Sequence, residues 1–220
     1  LDAGVKRINN SLDSLDAERF KRITRVGDLD KVLRGIEAAR RAGFGRIKLN
    51  SVILKNRNHD EVASLVRFAV EKDLDISFIE EMPLGAISEH DRAEVYFSSS
   101  QIREALAPHF DLMPTTENTG GPSRYWRVAG SNTRVGFISP HSHNFCDACN
   151  RVRVTSEGRL LLCLGQEHSV DLRAVMRDHP GDEALLQQAI VGSMAIKPKG
   201  HDFHLDGVPV ILRHMNVTGG

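Results

Sequence analysis

The sequence predicts an α/β fold in which parallel strands alternate with helices, followed by a smaller α+β module that binds metal. Three observations predict it. From Lys6 to Met82, runs suited to strands alternate with runs of apolar residues at helical spacing. After Glu89 this alternation gives way to short strands and loops rich in Thr, Gly, Pro and Ser. All three cysteines lie in the stretch FCDACNRVRVTSEGRLLLC.

The elements follow in order. Residues Lys6 to Leu12 read as a strand ended by the polar SLDSLD turn. Asp28 to Gly43 reads as a helix: Asp28 is a candidate cap, Leu29, Val32, Leu33 and Ile36 share a face, and Gly43 can end it. Arg46 to Leu54 is the next strand, Asn58 to Lys72 a capped helix, and Asp75 to Met82 a third strand stopped by Pro83 and Gly85. Short connections in such an alternation imply parallel strands. Three strands cannot close a barrel, so we read residues 1–90 as the C-terminal half of a partial (β/α) barrel. Leu1 directly precedes a strand-like run, which we read as a sign of further residues upstream. In barrels of this kind functional groups sit at the C-terminal ends of strands. Those positions here are Ser11, Lys48 to Ser51 and Glu80 to Met82.

Residues 91–220 read as a second domain, with its boundary between residues 86 and 98. A helix over Ser99 to His109 is followed by short strands at Tyr125 to Val128, Arg134 to Ile138, Val152 to Thr155 and Leu160 to Leu162. Helices at Asp171 to Asp178 and Asp182 to Met194 close the pattern, and the tail from Lys197 has little periodicity.

Composition narrows the function classes. Lys plus Arg and Asp plus Glu both number 29, so the net charge of zero gives no global case for nucleic acid or an anionic membrane. No window approaches the apolar length of a membrane span, and no secretory leader is visible. An odd cysteine count argues against a secreted disulfide framework, and we expect a cytoplasmic protein.

Cys146 and Cys149 form a CxxC pair that one metal centre can chelate, and a hairpin turning at Ser156 to Arg159 would return Cys163 beside them. Isolated buried cysteines are a poor account of this spacing. Structural zinc with a fourth ligand from His141, His143 or His168 and a three-thiolate [4Fe–4S] cluster are both compatible with it. Arg151 and Arg153, two apart in an extended segment, would project to one face beside the metal and suit phosphate or carboxylate oxygens.

The run FCDACNRVRVTSEGRLLLCL closely resembles the second-cluster motif of the GTP 3′,8-cyclases of molybdenum cofactor biosynthesis, which are radical S-adenosylmethionine enzymes and lyases. INNSLDSLDAERFKRIT, IKLNSVILKNRNHDE, FIEEMPLG and the terminal Gly219-Gly220 agree in the same order, so the resemblance covers essentially the whole chain. It implies that Cys146, Cys149 and Cys163 ligate a [4Fe–4S] cluster. It implies contacts to GTP from Lys48, Arg151, Val152 and Arg153, and contacts to S-adenosylmethionine from Ser11 and Met82. Gly219 and Gly220 would enter the active site and take part in the radical step.

The sequence also departs from that family. The family's CxxxCxxC motif is absent, so a second [4Fe–4S] cluster is expected from an N-terminal part and this chain alone is expected to be inactive. Ser77 stands where an Arg is usual, and Glu81 where an aromatic residue is usual; a buried carboxylate there would need a partner. GTP, the missing N-terminal half and a second copy in a homodimer are the expected partners. The alternatives are a non-catalytic zinc-binding module and the auxiliary-cluster part of another radical S-adenosylmethionine enzyme.

Overall fold

The computed structural model describes residues 3–87, 89–206, 209 and 211–218. Along the chain run β1 (Arg7–Ser11), α1 (Ala17–Thr24), α2 (Leu29–Arg41), β2 (Arg46–Val52), α3 (Val62–Glu71), β3 (Asp75–Ile79), α4 (Arg92–Val95) and α5 (Ser99–Leu106). They are followed by β4 (Leu112–Pro114), β5 (Arg124–Val128), β6 (Arg134–Ile138), β7 (Arg153–Val154), β8 (Arg159–Leu161), β9 (Ser169–Asp171), α6 (Leu172–Asp178) and α7 (Glu183–Ser193). Among the described residues no helix is long and apolar enough to cross a membrane.

The chain forms two compact units. The first holds the residues up to Glu81 together with Glu94–Asn144; the second holds Met82–Ala93 and the chain from Phe145 onward. This division differs from the boundary expected between residues 86 and 98, because a sheet joins distant segments. In the first unit the strand order is β1-β2-β3-β6-β5-β4, with β1, β2, β3 and β6 parallel and β5 pairing antiparallel with both β6 and β4. The strands at 124–128 and 134–138, expected in the second domain, therefore extend the sheet of the first.

Side-chain alternation makes this sheet two-faced. Ile47 and Leu49 of β2, Ile76 and Phe78 of β3, and Val135 and Phe137 of β6 are buried in one apolar core. Ile36 of α2, Leu65, Val66 and Ala69 of α3, and Ile102 and Leu106 of α5 complete it. Fully burying one such side chain contributes about 1.5–3 kcal/mol, so this layer carries most of the unit's stability.

Helix starts follow side-chain caps. Asp16 accepts from Arg19 N at 2.7 Å, Asp28 accepts from Lys31 N at 3.1 Å, and Ser98 forms a reciprocal capping box with Gln101. Each such cap is worth about 1 kcal/mol. The helix at 17–24 was not anticipated, although Asp16 ahead of Ala17 and Glu18 is a start signal. Asn58 does not cap α3 with its side chain. It is fully buried, accepts from Leu54 N and donates to the carbonyls of Asp13 and Val52, which ties the ends of β1 and β2 together.

In the second unit β7, β8 and β9 form a three-stranded antiparallel sheet. Leu160, Leu162 and Leu172 pack there with Val170, Leu186 and Ala189, so α6 and α7 cover one side. The β7–β8 turn closes through Gly158 N to Thr155 O and Thr155 N to Arg159 O, both 2.9 Å. Gly158 has φ +80°, a conformation that costs other residues strain. Strand β9, between the hairpin and α6, was not anticipated.

Candidate functional site

The face of the first unit's sheet opposite the apolar core is polar. Register places Ser11, Asn50, Ser77, Gly136 and Tyr125 in one row across β1, β2, β3, β6 and β5. Ser77 is fully buried and its hydroxyl lies 3.0 Å from that of Ser123. A methyl at Gly136 would approach the Ser123 Oγ to 2.1 Å and the Ser77 Oγ to 2.6 Å, so glycine is what lets the two hydroxyls meet over β6. The Asn50 Oδ1 is buried without a hydrogen-bond partner among the described residues. An unsatisfied buried acceptor is costly unless a ligand donates to it.

Lys48 lies on the same face, one strand step before Asn50, and is half-buried. The guanidinium groups nearby are committed to carboxylates. Arg134 pairs with the buried Asp75 and, at 2.9 Å, with Glu117; Arg46 and Arg127 also pair with these acids. Burial would raise the Tyr125 pKa, but a hydrogen bond with Thr119, the Lys48 charge and hydroxyls of Ser123 and Ser77 bring it below the ordinary phenol value. Lys48 thus projects its charge onto a cluster of hydroxyls that can orient an anionic or polyhydroxylated ligand.

At the carboxyl end of β3, Glu80 is fully buried. It accepts from Ser99 N at 2.9 Å, His141 N at 3.0 Å and Ser142 N at 3.1 Å, and from the Ser142 hydroxyl. Burial would raise its pKa, yet these bonds from Ser142, Ser99 and His141 hold it below the usual carboxylate value. Burial, with the Glu80 charge and hydrogen bond added, pushes the Tyr96 phenol up to about 12. The buried carboxylate of the FIEEM run is therefore Glu80. Glu81, singled out from the sequence, is half-exposed.

In the second unit Cys146 and Cys149 flank a 3-10 turn closed by Cys149 N to Cys146 O at 3.0 Å. Cys163 follows β8, and all three cysteines are half-buried. Burial raises the Cys163 pKa, and the nearby Cys146 and Cys149 raise it further while Lys197 opposes them. Among the described residues no group of three His, Cys, Asp or Glu is gathered as a single-ion site. Thiolate sulfur is the donor type that zinc and iron–sulfur centres take, and all three thiols belong to the second unit.

Lys197 was missed from the sequence. Its Nζ donates to Arg151 O at 2.9 Å and Leu162 O at 2.5 Å, joining the segment after Cys149 to the residue before Cys163. No local pattern announces such a role; a KPKG run in an aperiodic tail gives no direction. Arg151 and Val152 are exposed and Arg153 is half-buried at the start of β7. Met82 is half-buried and its carbonyl accepts from Leu84 N at 2.8 Å. Ser11 is exposed at the end of β1. Of the candidate zinc ligands, His141 has its Nε2 2.9 Å from Glu81 O and its ring edge-on to Tyr96, while His168 is exposed. Gly219 and Gly220 lie outside the described residues.

The profile of the family described as Molybdenum Cofactor Synthesis C matches residues 74–203, which include all three cysteines, β5 to β9 and both helices of the second unit. The chain belongs to that family. The radical SAM superfamily profile matches residues 1–69, the segment that contains β1 and β2. The chain is 63% identical over its whole length to proteins named GTP 3′,8-cyclase from Pseudomonas putida (strain W619) and Pseudomonas entomophila (strain L48). It is 59% identical to the protein of that name from Saccharophagus degradans. The chain spans 66% of the length of each of these relatives. Family membership and the mixed α/β sheet with its parallel strands agree with the resemblance drawn from the cysteine run.

Proposed function

We propose that this chain is the substrate side of a GTP 3′,8-cyclase, whose intact form converts GTP to 3′,8-cyclo-7,8-dihydro-GTP in molybdenum cofactor biosynthesis. The observation that carries the reading is the hairpin module itself. Cys146, Cys149 and Cys163 flank the β7–β8 hairpin in one run with Arg151 and Arg153, in a chain 63% identical to proteins of that name. On this reading β1, β2 and β3 are the C-terminal part of a (β/α) half-barrel of the radical S-adenosylmethionine type, and the second unit is the auxiliary-cluster domain.

Cys146, Cys149 and Cys163 would hold a [4Fe–4S] cluster. When bound, that cluster supplies an open iron site for the substrate, and S-adenosylmethionine with an N-terminal cluster supplies the radical. The chain's own residues bind and orient. Arg151, Val152 and Arg153 meet the nucleotide, with the two guanidinium groups giving planar donors to its phosphates. Lys48 adds a positive charge, oriented by the hydroxyl cluster of Tyr125, Ser77 and Ser123. Ser77, in place of the usual Arg, offers a neutral donor, so phosphate affinity at that point falls to Lys48. Ser11 and Met82 contact S-adenosylmethionine, and Gly219 and Gly220 act in the radical step. Holding the ribose against a single abstraction site is the main catalytic contribution such residues make. The protein works in the cytoplasm, as a homodimer, with the remaining N-terminal part of its relatives present.

The test is iron, acid-labile sulfide and zinc per chain after strictly anaerobic purification. The reading requires about four irons and four sulfides, lost on Cys163→Ala. One tightly held zinc without sulfide would overturn it in favour of a non-catalytic binding module.

A further inference from the structure

In the second unit the segment Ile211–His214 touches two other segments at once. On one side Ile211, 1% exposed, forms a parallel bridge with Leu84, and its carbonyl accepts from Gly85 N at 2.9 Å. A methyl at Gly85 would lie 2.2 Å from the His214 Nδ1, so the imidazole sits directly on the glycine. Arg92, 8% exposed, fixes that same turn by donating to Leu84 O at 3.0 Å and Gly85 O at 2.9 Å. On the other side Arg213 pairs with Glu167 and donates to Gln166 O at 3.0 Å and Leu164 O at 3.5 Å. These carbonyls belong to the loop that directly follows Cys163.

We propose that Ile211–His214 is a strap that holds the C-terminal tail against both the Met82–Arg92 segment and the loop after Cys163, with Arg213 and Arg92 as its positioning residues. A guanidinium suits this task because its planar fork can satisfy a carboxylate and carbonyls together. Buried carbonyls of an aperiodic loop need such donors. Beyond the strap the chain turns once more, with Thr218 buried and its hydroxyl donating to Met215 O at 2.8 Å. The described chain up to Thr218 is therefore held from both sides of the strap. Its link to turnover rests on the role of Gly219 and Gly220 proposed above.

Hydrogen–deuterium exchange of the anaerobically purified full-length protein tests the strap without reference to turnover. Arg213→Ala is expected to speed exchange over 211–218 by about tenfold or more, the scale of losing a hydrogen bond to a charged group. Arg213→Lys restores part of the protection. Glu167→Gln changes only an exposed partner and so cannot unfold the domain; it gives a smaller increase in the same peptides. Unchanged exchange over 211–218 in both Arg213→Ala and Glu167→Gln overturns the proposal. The same Arg213→Ala protein is expected to lose kcat while keeping its KM for GTP. Faster exchange with an unchanged kcat would support the strap and overturn the catalytic role given to the tail.

Discussion

Asp13 accepts a hydrogen bond from the backbone amide of Val52 at 2.8 Å, across the ends of β1 and β2. Burial pushes the pKa of this carboxyl up to about 6, against the partly offsetting bond from Val52.

A pH dependence follows. The folded chain keeps the Asp13 proton up to about pH 6, whereas the unfolded chain releases it near its ordinary value of 3.8. The folded state binds more protons in that window, so this group's contribution to stability falls as pH rises from about 4 to about 6 and is flat above. Asp13→Asn keeps an acceptor for Val52 and has no charge to desolvate. Urea unfolding is expected to show it more stable than the parent at about pH 8, by at most about 3 kcal/mol, and equal to it near pH 3.5. An equal difference at both values would remove Asp13 as the cause.

Glu80 has the opposite sign. Its folded pKa is depressed, so the stability it contributes is present above the usual carboxylate value and is lost as pH falls through the folded value. Glu80→Gln would turn an amide NH2 toward the backbone amides of Ser99, His141 or Ser142. A loss of about 2–4 kcal/mol is expected by urea titration, since donors are left unsatisfied in the interior. A loss below about 0.5 kcal/mol would mean that water satisfies them.

Gly136→Ala forces a methyl to within 2.1 Å of the Ser123 Oγ. Overpacking of this kind costs about 1–3 kcal/mol. Ser123→Gly in the same protein opens space on that side, and the pair is expected to be less destabilised than the sum of the single changes. Strict additivity of the urea midpoints would show that Gly136 matters for some reason other than this contact.

Lys48→Ala is expected to weaken GTP binding to the full-length protein about tenfold or more, as for loss of a charge-assisted hydrogen bond. Tyr125→Phe should give a smaller loss, because it removes only a hydroxyl beside the lysine. Equilibrium binding to the anaerobic protein separates the two. Unaltered affinity in Lys48→Ala would take the polar face out of the substrate site.

Much of the local structure was legible because it is encoded within a few residues. Asp28 ahead of an amphipathic run starts α2, Asp171 and Asp182 start α6 and α7, and the polar TSEG turn closes the β7–β8 hairpin. The cysteine run was readable for the same reason, since a CxxC and a hairpin return are short-range features. Helix α1 is hard to see in the sequence because the polar SLDSLD run reads as a turn, although Asp16 within it caps the helix. The boundary near residue 90 was drawn where the pattern changes, yet β6 pairs with β3 across that change.

By itself the sequence determined most of the helices and strands, though not α1, α4, β4 or β9, and where the thiols fall and which family the chain joins. Only the tertiary structure decided that β6 extends the first sheet, that Glu80 and not Glu81 is the buried carboxylate, and that Lys197 and Arg213 brace the loops around Cys163. The reason is physical. Caps and periodicity act between neighbours along the chain, whereas strand register and the choice of a hydrogen-bond partner are set by which distant groups share a desolvated space.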